Sequence, residues 1–435
     1  MSSPLLRFIA LGLLIICYSS YLSSPLIAQS IEEKYQFLRN RFLDKFVEIG
    51  EGTGYSLPAG ILDLDFHEVK FNKDNPEAKG MLRWTDATFM LGDYLGVLAT
   101  EYAINTRSNS SSKDLIREIY YALRAYRRLD AVAEHHLYNI DLKNHVYERN
   151  GFFLRDDISA EFVEKNFSVQ CDGSDFIWKA KHANVVSQDQ IIGLSMGLSL
   201  IIFCLPESVS YNNMSLNKEA KDILNLLTSY AAKHNWILKT PIKNNKVPAG
   251  FNMKYQSYPL CELTKRFTGN NYHNNNSKGL GRSIWKFAQK PFAKHASAFI
   301  KQSSHGEWKR SIYNDINNSM MLKLAALSNT WDTDKLYKNC IAAKMEVFIL
   351  LHQFIHKDIA RYKDQSLFQK ILEAMPATGP YCVNQNNKAC CEWASRDRWN
   401  HPIERLGFER TGFKGYFVGL DYMLLYNLYI LNYKL

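Results

Sequence analysis

The stretch Ser187–Leu205, SQDQIIGLSMGLSLIIFCL, decides how the rest of the chain is read. It opens on polar and acidic residues and then turns almost wholly apolar. A helix that is apolar on every side must be surrounded by protein. Ser187 with Gln190 fits a capping box, in which the serine accepts from a backbone N–H and the glutamine reaches back. Asp189 falls in the first turn, where the helix dipole stabilises a negative charge by roughly 0.3–1 kcal/mol. Gly193 and Gly197 share one face of this helix. Glycine inside a helix costs about 1 kcal/mol against alanine. Close helix packing, or room for another group to approach the backbone, must offset that cost.

The same features recur outward from this stretch. Trp84–Gly96, WTDATFMLGDYLG, has a polar entrance at Asp86 and the spaced pair Gly92 and Gly96. Gly415 and Gly419 repeat the spacing near the C-terminus. Helical periodicity marks 31–48, 85–105, 113–137, 187–205, 216–236, 255–267, 311–329, 334–357, 365–374 and 412–432. The helices come in pairs, a very apolar one followed by a more amphipathic one, which implies an inner and an outer layer. Strand signals are short, at 151–155 and 168–171. The pattern expects an all-α chain. The asparagine-rich run 268–283 reads as an exposed loop with no means of burying itself.

At the N-terminus, Arg7 is the only charge before Glu32, and the apolar run Phe8–Ile16 has signal-peptide length. Cleavage is expected after Ala28, which makes 1–28 a signal and 29–435 one exported domain, secreted or periplasmic. Cys17 offers a lipid anchor as the alternative. No later segment is apolar enough to span a membrane. The net charge of +10 would attract polyanions, including acidic polysaccharides. No basic run with interleaved aromatics points to nucleic acid. Among the cysteines, Cys382, Cys390 and Cys391 sit where export permits a disulfide, while Cys204, Cys261 and Cys340 read as buried thiols. No spacing suits zinc, and neither a P-loop nor a GxGxxG after a strand is present, so no metal and no cofactor are expected.

Paired helices, an export signal and acidic loop–helix junctions together resemble the six-hairpin (α/α)6 toroid enzymes. These include unsaturated glucuronyl hydrolases, other glycoside hydrolases and polysaccharide lyases. The local carriers are NGFFLRDDIS at Asn150–Ser159, SQDQIIGLSMGL at Ser187–Leu198, and WTDATFMLGDYLG. The resemblance implies parallel inner helices whose N-termini gather at one rim, with the active cleft at an end of the barrel.

Glycoside hydrolysis uses two carboxylates, about 5 Å apart for retention and about 6.5–9.5 Å apart for inversion. Asp189 suits the base or nucleophile. Asp157 or Asp86 suits the acid, and Asp156 beside Asp157 and Arg155 makes a crowded acidic setting that raises a carboxyl. Arg155, His182, Gln190, Trp393, Arg396, Trp399 and Tyr416 are the expected substrate contacts. Arginine binds carboxylates bidentately and tryptophan offers a stacking face. The expected partner is an oligo- or polysaccharide, with an anionic one allowed. Two other readings stand beside this. His182 or Tyr416 next to a cation could serve as the base of a polysaccharide lyase, and paired helices also build non-catalytic scaffolds that bind glycans.

Overall fold

The computed structural model describes residues 30–63, 81–84, 86–138, 149–167, 170–171, 185–241, 243–247, 251–283, 323–328, 346–356, 362–375, 381–383 and 414–435. Helix dominates. The helices are α1 (Ile31–Lys45), α2 (Ala87–Arg107), α3 (Lys113–Tyr138), α4 (Ala160–Asn166), α5 (Gln188–Cys204), α6 (Leu216–Lys233), α7 (Ser257–Thr268), α8 (Glu346–Ile355), α9 (Ser366–Ala374) and α10 (Leu420–Tyr433). A further helical segment covers 323–327. No helix among the described residues is long and apolar enough to cross a membrane.

The two most apolar helices are the most buried. Every residue of α2 from Ala87 to Thr100 is buried, and so is every residue of α5 from Gln190 to Ile201. They pack backbone against backbone. A β-carbon built on Gly92 lies 2.2 Å from the carbonyl oxygen of Gly193, and one built on Gly197 lies 2.2 Å from that of Gly92. Close packing is therefore the use of these glycines. Contacts advance together along both chains, from Phe89 with Gly193, to Leu95 with Gly197, to Gly96 with Leu200, so α2 and α5 run parallel. Helix α10 lies parallel on the other side of α2. Leu424 meets Gly96, the Asn427 amide donates to Thr100 Oγ1 at 3.1 Å, and Arg107 donates to the Leu431 carbonyl at 2.8 Å.

The amphipathic helices flank this layer in the opposite direction. Tyr35 and Arg39 of α1 reach Glu101 late in α2, while Phe42 meets Tyr94 earlier in it. Arg39 also binds Glu118 of α3 at 2.8 Å, and the Tyr94 hydroxyl donates to the same carboxylate. This buried network ties α1, α2 and α3 together. The Asn217 amide at the start of α6 donates to the carbonyls of Ile202 and Leu205, which closes a hairpin with α5. Helix α7 then turns back along α6, with the Thr268 hydroxyl donating to Asn225 and Thr228 hydrogen bonded to Thr264.

Late in the chain, three helix ends converge. Arg266 near the end of α7 donates to the carbonyls of Leu327 and Ile355, each at 3.2 Å. Terminal helix carbonyls lack intrahelical partners, and a cation at a helix C-terminus is favoured. One guanidinium thus covers the ends of 323–327 and α8. His356 reaches the Ala326 carbonyl at 3.1 Å, and burial, with His352 and Arg266 beside it, pushes its pKa down to about 3. Asn432 of α10 donates to Leu350 of α8 at 3.1 Å.

A short mixed sheet has the strand order β3–β2–β1–β7–β6, from Gln170–Cys171, Met81–Arg83, Ile61–Asp63, Lys414–Phe417 and Tyr381–Val383. β4 (Ser210–Tyr211) and β5 (Met214–Ser215) form a separate hairpin. β2 leads directly into α2 and β7 into α10, so the sheet lies at the N-terminal end of those helices. Here the structure corrects the periodicity reading. Residues 414–417 are strand, and α10 begins only at Leu420 because Gly419 takes a left-handed φ of +83°. Gly415 and Gly419 therefore share no helix face. The run 268–283 also departs from expectation. Trp236 Nε1 donates to Asn274 Oδ1 at 3.0 Å, the Asn274 amide donates to Ala232, and Ser277 is buried at the head of a π-helical turn. Asparagine side chains supply the anchoring bonds that apolar residues do not.

Candidate functional site at the head of α2 and α5

Asp86 is the N-cap residue of α2, and its side chain makes no capping bond. Arg155 Nη1 lies 3.7 Å from Asp86 Oδ1, with both side chains 18% exposed. Arg155 is itself anchored. Its Nε donates to the Val185 carbonyl at 3.2 Å, two residues before the α5 cap. Val185 pairs with Leu154 in a β-bridge, and Val186 N–H donates to Phe153 O at 2.9 Å. Phe152 and Phe153 are fully buried and fix this segment. A single arginine side chain thus spans the heads of two parallel helices.

At the head of α5 the expected capping box is absent. The Ser187 side chain makes no bond to the helix backbone, and its hydroxyl donates to Asp189 Oδ1 instead. Gln190 does not reach back. It is fully buried, and neither of its amide atoms has a hydrogen-bond partner. Gln190 lies one turn before Gly193, which packs against Phe89 of α2. Thr88 in the first turn of α2 is likewise fully buried with its hydroxyl unpartnered.

Asp156 and Asp157 diverge. Asp156 is buried, and its Oδ1 accepts from Ile158 N–H at 3.1 Å, closing a local turn. Asp157 binds Arg128 of α3 at 2.5 Å and accepts from Gly54 N–H at 3.0 Å, which fastens the 50–56 loop to α3. Tyr416 stands in β7 with the Arg41 guanidinium 5.1 Å over its ring. His182, Trp393, Arg396 and Trp399 lie outside the described residues. The structure therefore joins Arg155 to Asp86 at the head of α2, places Asp189 and Gln190 in the first turn of the neighbouring parallel helix α5, and commits Asp157 to the α3 side.

Two further features carry no motif. Lys323 reaches Asp93 of α2 at 3.2 Å, with side chains 1% and 3% exposed, and its ammonium lies 4.2 Å over the Phe89 ring. Asp93 sits seven residues below Asp86, roughly 10 Å along the helix at 1.5 Å per residue. A charged residue inside so apolar a helix was the available signal. Asp130 of α3 accepts from the N–H groups of Asn150 and Gly151, each at 3.3 Å, and so holds the turn that leads to Arg155.

Burial pushes the Asp130 carboxyl from 3.8 up to about 7, helped by Glu134 and opposed by those two N–H bonds and Arg127. The folded pKa exceeds the unfolded one. The stabilising contribution is thus complete below about 4 and is lost as pH rises through about 7. Urea unfolding at pH 5 and pH 8 tests this. Wild type should lose on the order of a few kcal/mol across that window relative to Asp130→Asn, whose amide oxygen still accepts both N–H groups. Parallel profiles would refute the assignment.

Among the described residues, no three His, Cys, Asp or Glu side chains converge as a metal site would require. Burial pushes the Cys261 thiol up to about 12, which makes it a poor nucleophile. No family model matches the chain, and neither the curated proteins nor the solved structures give a match.

Proposed function

We propose that the chain is an exported carbohydrate-active enzyme, a glycoside hydrolase built on an (α/α)6 toroid, with Asp86 and Asp189 as its paired carboxylates. The supports for the toroid are the successive neighbours. Helix α2 touches α5, α5 touches α7, Arg266 links α7 to 323–327, Ala326 meets α8, α8 meets α10, and α10 returns to α2. In this reading those six segments form the inner layer, with α1, α3 and α6 outside them.

The observation that carries the enzymatic reading is Arg155, bound to Asp86 at the head of α2 and to Val185 just before α5. Packed helices lie about 8–10 Å apart. Carboxylates at the heads of adjacent parallel helices can approach to the separation that hydrolysis uses, and the proposal requires Asp86 and Asp189 to do so. In this reading Asp86 and Asp189 are the two working carboxylates, and Arg155 positions Asp86. Asp157, bound to Arg128, is part of the scaffold.

The test is incubation of the purified chain with a panel of neutral and acidic oligosaccharides, with products read by mass spectrometry. Hydrolysis products are expected. Asp189→Asn should abolish them and leave the melting temperature nearly unchanged. An active Asn variant would exclude the assignment. A product absorbing in the ultraviolet would move the reading to a lyase, and no product at all would move it to a glycan-binding scaffold.

A further inference from the structure

We infer that the head of α2 and α5 takes a neutral sugar, one of whose hydroxyl groups is read by Gln190, and does not take an anionic one. This rests on the glycosidase reading and narrows it to a substrate class.

The placement of Gln190 follows from helix register. Phe89 meets Gly193 in the parallel α2–α5 contact. One turn toward both N-termini, Gln190 comes level with Asp86. Gln190 is fully buried, and both its amide nitrogen and its amide oxygen are unpartnered. The Thr88 hydroxyl in the same turn of α2 is buried and unpartnered as well. Buried polar groups in folded proteins are nearly always bonded, so two such groups in adjacent first turns call for a reason. A ligand that draws the amide into hydrogen bonding supplies one.

The chemistry of that ligand follows from the groups around it. An amide offers a donor and an acceptor, and so does a sugar hydroxyl. A carboxylate only accepts, and among the described residues it would meet the carboxylates at the two helix heads, Asp86 and Asp189, against the Arg155 guanidinium. That guanidinium, Arg155, already faces Asp86 at 3.7 Å. Arg83, three residues before Asp86, is itself engaged. The described charges therefore oppose an anionic sugar and tolerate a neutral one.

Wild type and Gln190→Met are compared by thermal melting and by turnover, using neutral hexose oligosaccharides and uronate oligosaccharides as probes. Neutral oligosaccharides should raise the melting temperature of wild type and be cleaved, while uronates should do neither. Without sugar, Gln190→Met should melt higher than wild type, because an unbonded buried amide gives way to an apolar chain of similar length. Its kcat/KM on the neutral substrate should fall about tenfold, the loss of one hydrogen bond. A variant that melts lower than wild type, or one that keeps its kcat/KM, overturns the role of Gln190, and a preference for uronates overturns the substrate class. In each of those cases the glycosidase reading survives. If wild type neither binds nor cleaves any probe, the glycosidase reading fails and this inference falls with it.

Discussion

Gly92→Ala is expected to destabilise the fold by on the order of 4 kcal/mol or to prevent folding altogether. The added methyl would sit 2.2 Å from the Gly193 carbonyl oxygen, 2.3 Å from its carbon and 2.7 Å from the Leu194 nitrogen. All three are backbone atoms in the middle of a helix, and no rotamer change moves them aside. Relief requires α2 and α5 to separate, and that would open the most buried layer of the protein along its length. Gly197→Ala meets the mirror obstacle, the Gly92 carbonyl oxygen at 2.2 Å, and should cost about as much. Gly96→Ala is the control within the same helix. Its nearest neighbours are the ends of side chains, Leu200 at 3.2 Å and Leu424 and Met196 at 3.7 Å, and a shift of a few tenths of an ångström by Leu200 accommodates it. Urea unfolding of the three variants should rank Gly92 and Gly197 far above Gly96. Equal losses at all three would mean that helix propensity, and not backbone contact, sets the cost.

Removing Lys323 should cost nearly as much. Lys323→Met leaves the Asp93 carboxylate, whose side chain is 3% exposed, without this cation, and breaking one side of a buried pair costs about 3–5 kcal/mol. The ammonium also loses its place over the Phe89 ring. Replacing both residues at once, Lys323→Met with Asp93→Leu, should recover most of the loss, because a well-packed apolar pair avoids desolvating two charges. Equilibrium unfolding of the two single variants and the double variant checks this as a cycle. A double variant no more stable than the sum of the singles would show that the pair is not coupled. The pair joins 323–327 to α2 across 230 residues of sequence, so its loss should loosen the interior and leave the local helices intact.

Much of the architecture was legible because burial has a period. The all-round apolar character of Ala87–Thr100 and Gln190–Ile201 foretold two fully buried helices, and the amphipathic pattern of 113–137 and 216–236 foretold their covers. The paired glycines at Gly92, Gly96, Gly193 and Gly197 foretold close approach. The same spacing misled at Gly415 and Gly419, since glycine serves a helix contact and a left-handed turn equally well and spacing does not distinguish them.

The site was legible as a set of residue types and illegible as a set of partners. The sequence placed Asp86 and Asp189 at helix heads, because capping and dipole preferences are local. It did not show that Arg155 would turn to Asp86, that Asp157 would turn to Arg128, or that Ser187 would bind Asp189 and leave Gln190 unbonded. Which helices form, and which of their faces are buried, is set by neighbours within a few residues. Which charge meets which is set by distance in space, and only the packed chain fixes that.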